Sequence, residues 1–133
     1  MKLSLKENKV NQLILVDAED NQTLDSDFSL SFEPIFYEED ARKFKIVFDF
    51  EYITTDRKYL RIDYQSYFIT DSDINEAFRN SKFPVINAPA IAFPFLRAFL
   101  ANLLISGGHP PVLLPSINFL HYAQENISKP EVF

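Results

Sequence analysis

Two histidines, His109 and His121, are the residues best suited to acid–base or metal chemistry. Only Glu125 stands one helical turn from His121 as a second ligand, and two residues do not make a metal site. Serine and aspartate are also present, but no nucleophile motif surrounds any serine. The sequence contains no cysteine, which excludes a thiolate site and a cysteine nucleophile. We therefore predict neither an enzyme nor a metal site.

The glycine content and the charge exclude two further classes of ligand. The two glycines, Gly107 and Gly108, are adjacent, so no phosphate-cradling loop is present and no cofactor is predicted. The formal net charge is −6, the wrong sign for neutralising phosphates, so no nucleic-acid partner is expected. The first residues alternate apolar and charged types instead of forming a signal peptide. We expect a cytoplasmic protein.

The aromatic content is the feature that a functional hypothesis has to explain. The 133 residues include 14 Phe and 6 Tyr, which is 15% of a chain long enough for one domain, residues 1–133, with one core.

Up to Ile69 the apolar residues recur at every second position, which predicts an antiparallel sheet with one buried face. We predict a first strand in two pieces, Leu3–Lys6 and Gln12–Val16, followed by a polar connection over Asp17–Asp27. Pro34 is expected to end or bulge the second strand, because proline cannot donate to a strand ladder. Two aromatic strands joined by a four-residue polar hairpin complete the four-stranded sheet.

After Thr70 the period becomes helical. Asp71 is predicted to cap a short helical turn over Asn75–Arg79, and Pro84 and Pro89 to keep the chain extended. Residues Ile91–Ile105 predict a long helix that is too short and too charged to span a bilayer. Its apolar arc is wider than one contact needs, which indicates a second buried contact, most simply another subunit.

A proline-rich connection, His109–Pro115, then leads to a second amphipathic helix over Ile117–Ile127, which Ser116 or Asn118 could cap. Strands followed by helices are typical of an α+β domain.

The second half also carries a specific combination of residues: Pro89, Ile91, Phe93, Pro94, Phe95, Arg97, Gly108, Pro111, Leu113, Pro115, Asn118 and Phe119. In order and spacing it resembles the SecB protein-export chaperone family. The resemblance implies a four-stranded antiparallel sheet, a long helix, a Pro-rich crossing loop and a second helix. It also implies a homotetramer, a dimer of dimers that sandwiches the long helices between the sheets.

The resemblance further implies an ATP-independent holdase that binds unfolded polypeptides and passes them to the motor SecA. Acidic residues of the sheet would serve SecA, but Lys45 and Arg61 dilute the acidity here. Some relatives of this fold instead protect the antitoxin of a toxin–antitoxin pair. A carrier of small apolar ligands also remains open, since it would use the same aromatic sheet around an enclosed cavity. A structural or regulatory partner protein, which would form one stoichiometric complex, remains open as well.

The predicted binding residues are aromatic. Most strand aromatics are explained by core packing, but 14 Phe exceed what one helix can cover. A groove of aromatic surface accepts apolar side chains without sequence preference. We predict that this groove includes Phe32, Phe36, Phe48, Phe50, Phe119 and Tyr122.

Overall fold

The computed structural model describes residues 1–122 and shows an α+β fold. Its four strands are β1 (Leu3–Asp17), β2 (Phe28–Phe36), β3 (Lys43–Ile53) and β4 (Lys58–Thr70). They form one antiparallel sheet in the order β1-β4-β3-β2. The helices are α1 (Glu76–Arg79) and α2 (Ala88–Ser106), and a π-helical turn, Phe83–Asn87, leads into α2.

The period-two pattern of the sequence places the core on one face of the sheet. Phe44, Phe48 and Phe50 of β3 are fully buried, as are Leu60 and Ile62 of β4. Helix α2 contacts β1, β4 and β3, and its buried side chains join the same core. The opposite face, here the outer face, carries alternating polar residues, as a sheet with one solvated side requires. The predicted four-stranded α+β architecture is confirmed.

Two predictions about the strands were wrong. The first strand is one continuous element, because two register shifts, between Leu5 and Glu7 and between Val10 and Gln12, absorb the break in its pattern. Pro34 neither ends nor bulges β2 and pairs with Ile46 inside the strand. An edge strand accepts proline when its nitrogen points away from the partner strand.

Two predictions about the helices were also wrong. Asn75, not Asp71, caps α1, because its side chain accepts a hydrogen bond from the Phe78 N–H. The carboxylate of Asp71 instead accepts the backbone N–H of Lys2, and this bond lowers the pKa of Asp71. Pro84 and Pro89 lie inside helical turns, because each sits near a helix start, where the missing N–H is tolerated.

The long helical segment has more residues than the sequence predicted. Phe83–Ser106 spans 24 residues and is long and apolar enough to cross a membrane by length and composition, so the prediction of a helix too short and too charged for this was wrong. Core helices of soluble proteins pass the same test, and here Phe93, Leu96, Leu100 and Leu104 pack into the core of this chain.

The chain leaves α2 through Gly107 and Gly108, and the positive φ of Gly108, 83°, explains why glycine occupies the helix stop. Residues 109–118, here called the crossing loop, then run along the sheet to a last helix that begins at residue 119. The side chain of Asn118 accepts the backbone N–H of His121 and caps this helix. The remainder of the predicted Ile117–Ile127 helix lies outside the described residues.

Candidate functional site

Five aromatic side chains meet where the last helix begins against the edge strand β2. The Phe32 ring stacks on Tyr122, with 5.4 Å between centroids, and meets Phe119 edge-on at 5.6 Å. Phe93 of α2 contacts Phe119 at 5.7 Å, and Phe48 of β3 lies 6.0 Å from Phe32. We call these five residues the aromatic cluster. It joins the sheet, α2 and the last helix at one point.

The hydroxyl of Tyr122 donates a hydrogen bond to the backbone carbonyl oxygen of Leu30 in β2. This carbonyl therefore points away from β3 and lies on the free edge of the sheet. Within a strand, backbone groups alternate in direction, so every second residue from Phe28 to Phe36 turns its N–H and C=O toward this edge. Burial raises the pKa of the Tyr122 hydroxyl, which favours the neutral, hydrogen-bonding form.

Three neighbouring cavities follow this edge and together form what we call the edge groove. The first, of about 730 Å³, lies between the Thr23–Leu30 segment and residues Ile117 and Tyr122. The second, of about 340 Å³, lies between the 22–27 segment and the β3–β4 turn. The third, of about 480 Å³, lies between Phe28 and Tyr52 on one side and the crossing loop on the other. Neighbouring cavities share lining residues.

The crossing loop forms one wall of the edge groove. Its side chains alternate between the core and solvent. Val112 and Leu114 are buried, and Leu113 between them is 89% exposed. Arg97 of α2 reaches the hydroxyl of Ser116 at 3.5 Å, a long contact that ties the loop to the helix. Proline fixes its own φ and has no N–H to donate. This proline-rich wall is therefore a stiff extended segment that needs no strand ladder to keep its shape.

The structure brings together only part of the predicted binding set. Phe32, Phe48, Phe119 and Tyr122 belong to the aromatic cluster, in which Tyr122 lines the groove and Phe48 is fully buried. Phe50 is also fully buried in the core. Phe36 lies at the opposite end of β2, where its ring contacts Phe44 and the guanidinium of Arg79. The groove is also lined by four residues that were not predicted: Phe28, Leu30, Leu113 and Ile117. The inward-facing parity that Phe28 and Leu30 share with Phe32 could have identified two of them.

A second concave surface, of about 620 Å³, lies on the outer face of the sheet, where the charged residues Glu33, Asp49, Arg61 and Asp63 stand among apolar residues such as Ile14 and Val47. Arg61 crosses to Asp49 in an ion pair of 2.9 Å, and this contact raises the pKa of Arg61. Lys45 bonds to Gln65 at 3.1 Å. The basic residues therefore occupy part of the acidic surface that the sequence predicted. Among residues 1–122, no group of three or more His, Cys, Asp or Glu side chains could hold a metal ion.

Comparison with known proteins gives one consistent family. The model of the family described as "Preprotein translocase subunit SecB" matches residues 28–129. The "Protein-export protein SecB" of Roseobacter denitrificans is 31% identical over 70 residues, which cover 53% of this chain and 41% of that protein. The protein of the same name from Dinoroseobacter shibae is 30% identical over 70 residues, covering 53% and 40% of the two chains. The match thus spans about two fifths of the length of these curated relatives.

Two solved structures share the fold. A SecB-like chaperone of Mycobacterium tuberculosis, in complex with a ChAD peptide from an antitoxin, aligns with a TM-score of 0.60 at 12% identity. The alignment covers 86% of this chain and 87% of that one. A protein of unknown function from Streptococcus agalactiae aligns with a TM-score of 0.51 at 20% identity, over 86% and 98% of the two chains.

Proposed function

Because the chain belongs to the SecB family, we propose that it is an ATP-independent holdase chaperone that binds unfolded polypeptides in the edge groove. The observation that carries this proposal is an open groove along a strand edge whose mixed polar and apolar lining includes Leu24, Phe28, Leu30, Tyr52, Leu113 and Ile117. Membership of the family supports the general role, since the curated relatives are protein-export proteins. The proposed place of action is the cytoplasm.

The edge strand supplies the backbone part of this binding mode. Phe28, Leu30 and Phe32 turn their backbone polar groups toward the free edge and their side chains toward the core side of the sheet. The carbonyls of Phe28 and Leu30 already accept the hydroxyls of Ser26 and Tyr122, so an extended client beside β2 would pair its carbonyls with the edge-facing N–H groups of this strand. Its alternate side chains would enter the groove. Pro34 has no N–H to offer, so the pairing surface ends there on the donor side.

The apolar residues of the groove supply affinity without sequence selection. Phe28 and Tyr52 are half-buried rings at the centre of the groove, and Leu113 faces it from the crossing loop. Aromatic rings present a large contact area and lose little conformational entropy on binding. Clients would be chosen by exposed apolar segments, which folded proteins do not offer.

We propose that the active form is a homo-oligomer, a dimer of dimers, assembled on α2. The exposed positions Ile91, Phe95, Ala98, Asn102 and Ile105 form one stripe at alternating spacings of four and three residues. Ile91 and Ile105 are equally distant in sequence from Ala98, so a two-fold axis at Ala98 pairs each with the other. A small residue at the centre lets two helices approach closely. Several grooves per assembly would let one long client bind at multiple points.

We also propose that the chain contacts a SecA motor. Such a contact would use acidic residues of the outer face, of which Asp49 is already paired with Arg61. The holdase role stands without the motor, because the edge groove lies along the β2 edge and the crossing loop rather than on that face.

Light scattering of a dilute, refolding client tests the proposal. Stoichiometric protein should slow client aggregation, and Phe32→Ala should suppress it less well because Phe32 anchors the cluster beside the groove. Ile69→Ala, which truncates an exposed apolar residue of β4, serves as the control. Equal aggregation with and without the protein would overturn the holdase role. Suppression limited to one antitoxin client would favour the dedicated antitoxin chaperone, and a lipid retained in native mass spectrometry would favour the carrier.

A further inference from the structure

The two walls of the edge groove are both tied to the β3–β4 turn, Thr54–Arg57. One wall is the segment between β1 and β2, residues 18–27, and the other is the crossing loop. Neither wall belongs to a β-strand, and side chains of the turn contact both walls. Asp56 and Arg57 make these contacts from adjacent positions, one toward each wall.

Arg57 holds the 18–27 segment. Its guanidinium donates to the backbone carbonyl of Gln22 at 3.0 Å and to that of Glu19 at 2.8 Å. The carbonyl of Arg57 itself accepts the N–H of Ala18 at 2.9 Å. Arg57 has a φ of 63°, in the left-handed region, which a non-glycine residue adopts only when its surroundings enforce it. The turn therefore accepts backbone strain at the residue that reaches the wall.

Asp56 holds the crossing loop at its first residue. Its carboxylate accepts a hydrogen bond from Nδ1 of His109 at 2.8 Å, and the His109 side chain is only 17% exposed. The other carboxylate oxygen accepts the hydroxyl of Thr54, which in turn accepts the N–H of Lys58 at 2.8 Å. Thr54 is buried, so its hydroxyl fixes the Asp56 carboxylate relative to the sheet in the orientation that reaches His109. The N–H of His109 also bonds to the Leu104 carbonyl at the end of α2.

We propose that Asp56, Arg57 and His109 are positioning residues that fix the width of the edge groove. This inference rests on the proposed function, since it assigns these residues to the groove that receives the client. A loop that is already held in its binding position pays less entropy when a ligand binds, and the two tethers would supply that preorganisation. Neither tether needs to touch the client.

The test measures binding of a fluorescein-labelled unfolded probe, reduced and carboxymethylated α-lactalbumin, by anisotropy. His109→Ala removes the bond from the crossing loop to Asp56 and leaves the turn intact. Arg57→Asn removes the two guanidinium bonds to the 18–27 segment, while asparagine tolerates the left-handed backbone. Each should weaken binding about threefold, and the double variant about tenfold. His109→Asn offers an amide donor in the place of Nδ1 and should restore part of the affinity. Asp73→Asn removes an exposed ion pair of the same length at Arg42 and is the matched control.

Amide hydrogen exchange separates the positioning role from a general loss of stability. His109→Ala should speed exchange at residue 109, whose N–H bonds to the Leu104 carbonyl. Arg57→Asn should speed it at Glu19 and Gln22, whose N–H groups are bonded within the 18–27 segment, with the strands unchanged. Wild-type affinity in both variants would overturn the inference, as would unchanged exchange in both loops. If the wild-type protein fails to bind the probe, the proposed function fails, and the exchange rates alone then decide whether the turn holds the two loops.

Discussion

The hydroxyl of Tyr122 is bonded to the backbone carbonyl of Leu30, so the last helix occupies a hydrogen-bonding position of the free sheet edge. Tyr122→Phe removes this bond and keeps the ring that stacks on Phe32. We expect the free energy of unfolding to fall by about 1 kcal/mol, the usual net value of one such bond. Client affinity should stay within about twofold, since the aromatic surface is retained. Urea denaturation and probe anisotropy measure the two quantities.

The buried hydroxyl of Tyr122 also predicts how the stability of the fold changes at alkaline pH. Burial raises the pKa of Tyr122 in the folded chain, so the unfolded chain releases this proton first as the pH rises. The contribution of the neutral hydroxyl is complete below about pH 10 and is lost as the pH rises through the folded-state pKa. Stability of the wild-type protein should therefore fall more steeply above pH 10 than that of Tyr122→Phe. Parallel slopes would contradict the assignment.

Phe32 and Phe48 are in contact but should respond differently to truncation. Phe48 is fully buried, so Phe48→Ala should lower the free energy of unfolding by about 3–5 kcal/mol through lost burial and a cavity. Phe32 is only partly buried, so Phe32→Ala should cost about 2 kcal/mol and weaken client binding about tenfold. Thermal melts and probe anisotropy check both. If Phe32→Ala binds the client as the wild-type protein does, the aromatic cluster has no role in binding.

Acid should destabilise the fold through three aspartates. Hydrogen bonds lower the pKa of each, from Lys58 to Asp17, from His109 and Thr54 to Asp56, and from the Lys2 N–H to Asp71. Their stabilising contribution is present above the ordinary pKa of 3.8 and is lost as the pH falls through the lower folded-state values. Stability should rise with pH across this range, and less steeply in Asp17→Asn. Asp20→Asn, which removes a carboxylate but none of these bonds, is the control.

The sheet was predictable because apolar residues recur at every second position of β3 and β4. The register of β1 was not, because its two irregularities depend on pairing with β4 rather than on local sequence. Pro34 illustrates the same limit, since its tolerance follows from the edge position of β2, which only the strand order β1-β4-β3-β2 defines. Local propensity could not supply either fact.

The sequence predicted an aromatic groove but not all of the residues that line it. Alternation placed Phe48 and Phe50 on the same face as Phe32, and only the strand order shows that β3 is covered while β2 lies at the edge. The tether between Asp56 and His109 spans 53 positions and has no sequence signature. Contacts of this range arise from the fold as a whole, so a single sequence offers no local signal for them.

The stripe on α2 gives the sharpest prediction about assembly. Phe95 and Ile105 are 51% and 60% exposed, and an apolar stripe of this kind is buried by a second copy in the proposed oligomer. Ala98→Glu places a charge at the proposed two-fold axis, so the two copies would bring like charges together at the closest approach of the helices. We expect multi-angle light scattering to show a smaller assembly for this variant. Ala90→Glu adds the same charge at an exposed position of α2 outside the stripe and should keep the wild-type mass. The proposed interface is wrong if both variants keep the wild-type mass, or if the wild-type protein is a monomer at micromolar concentration.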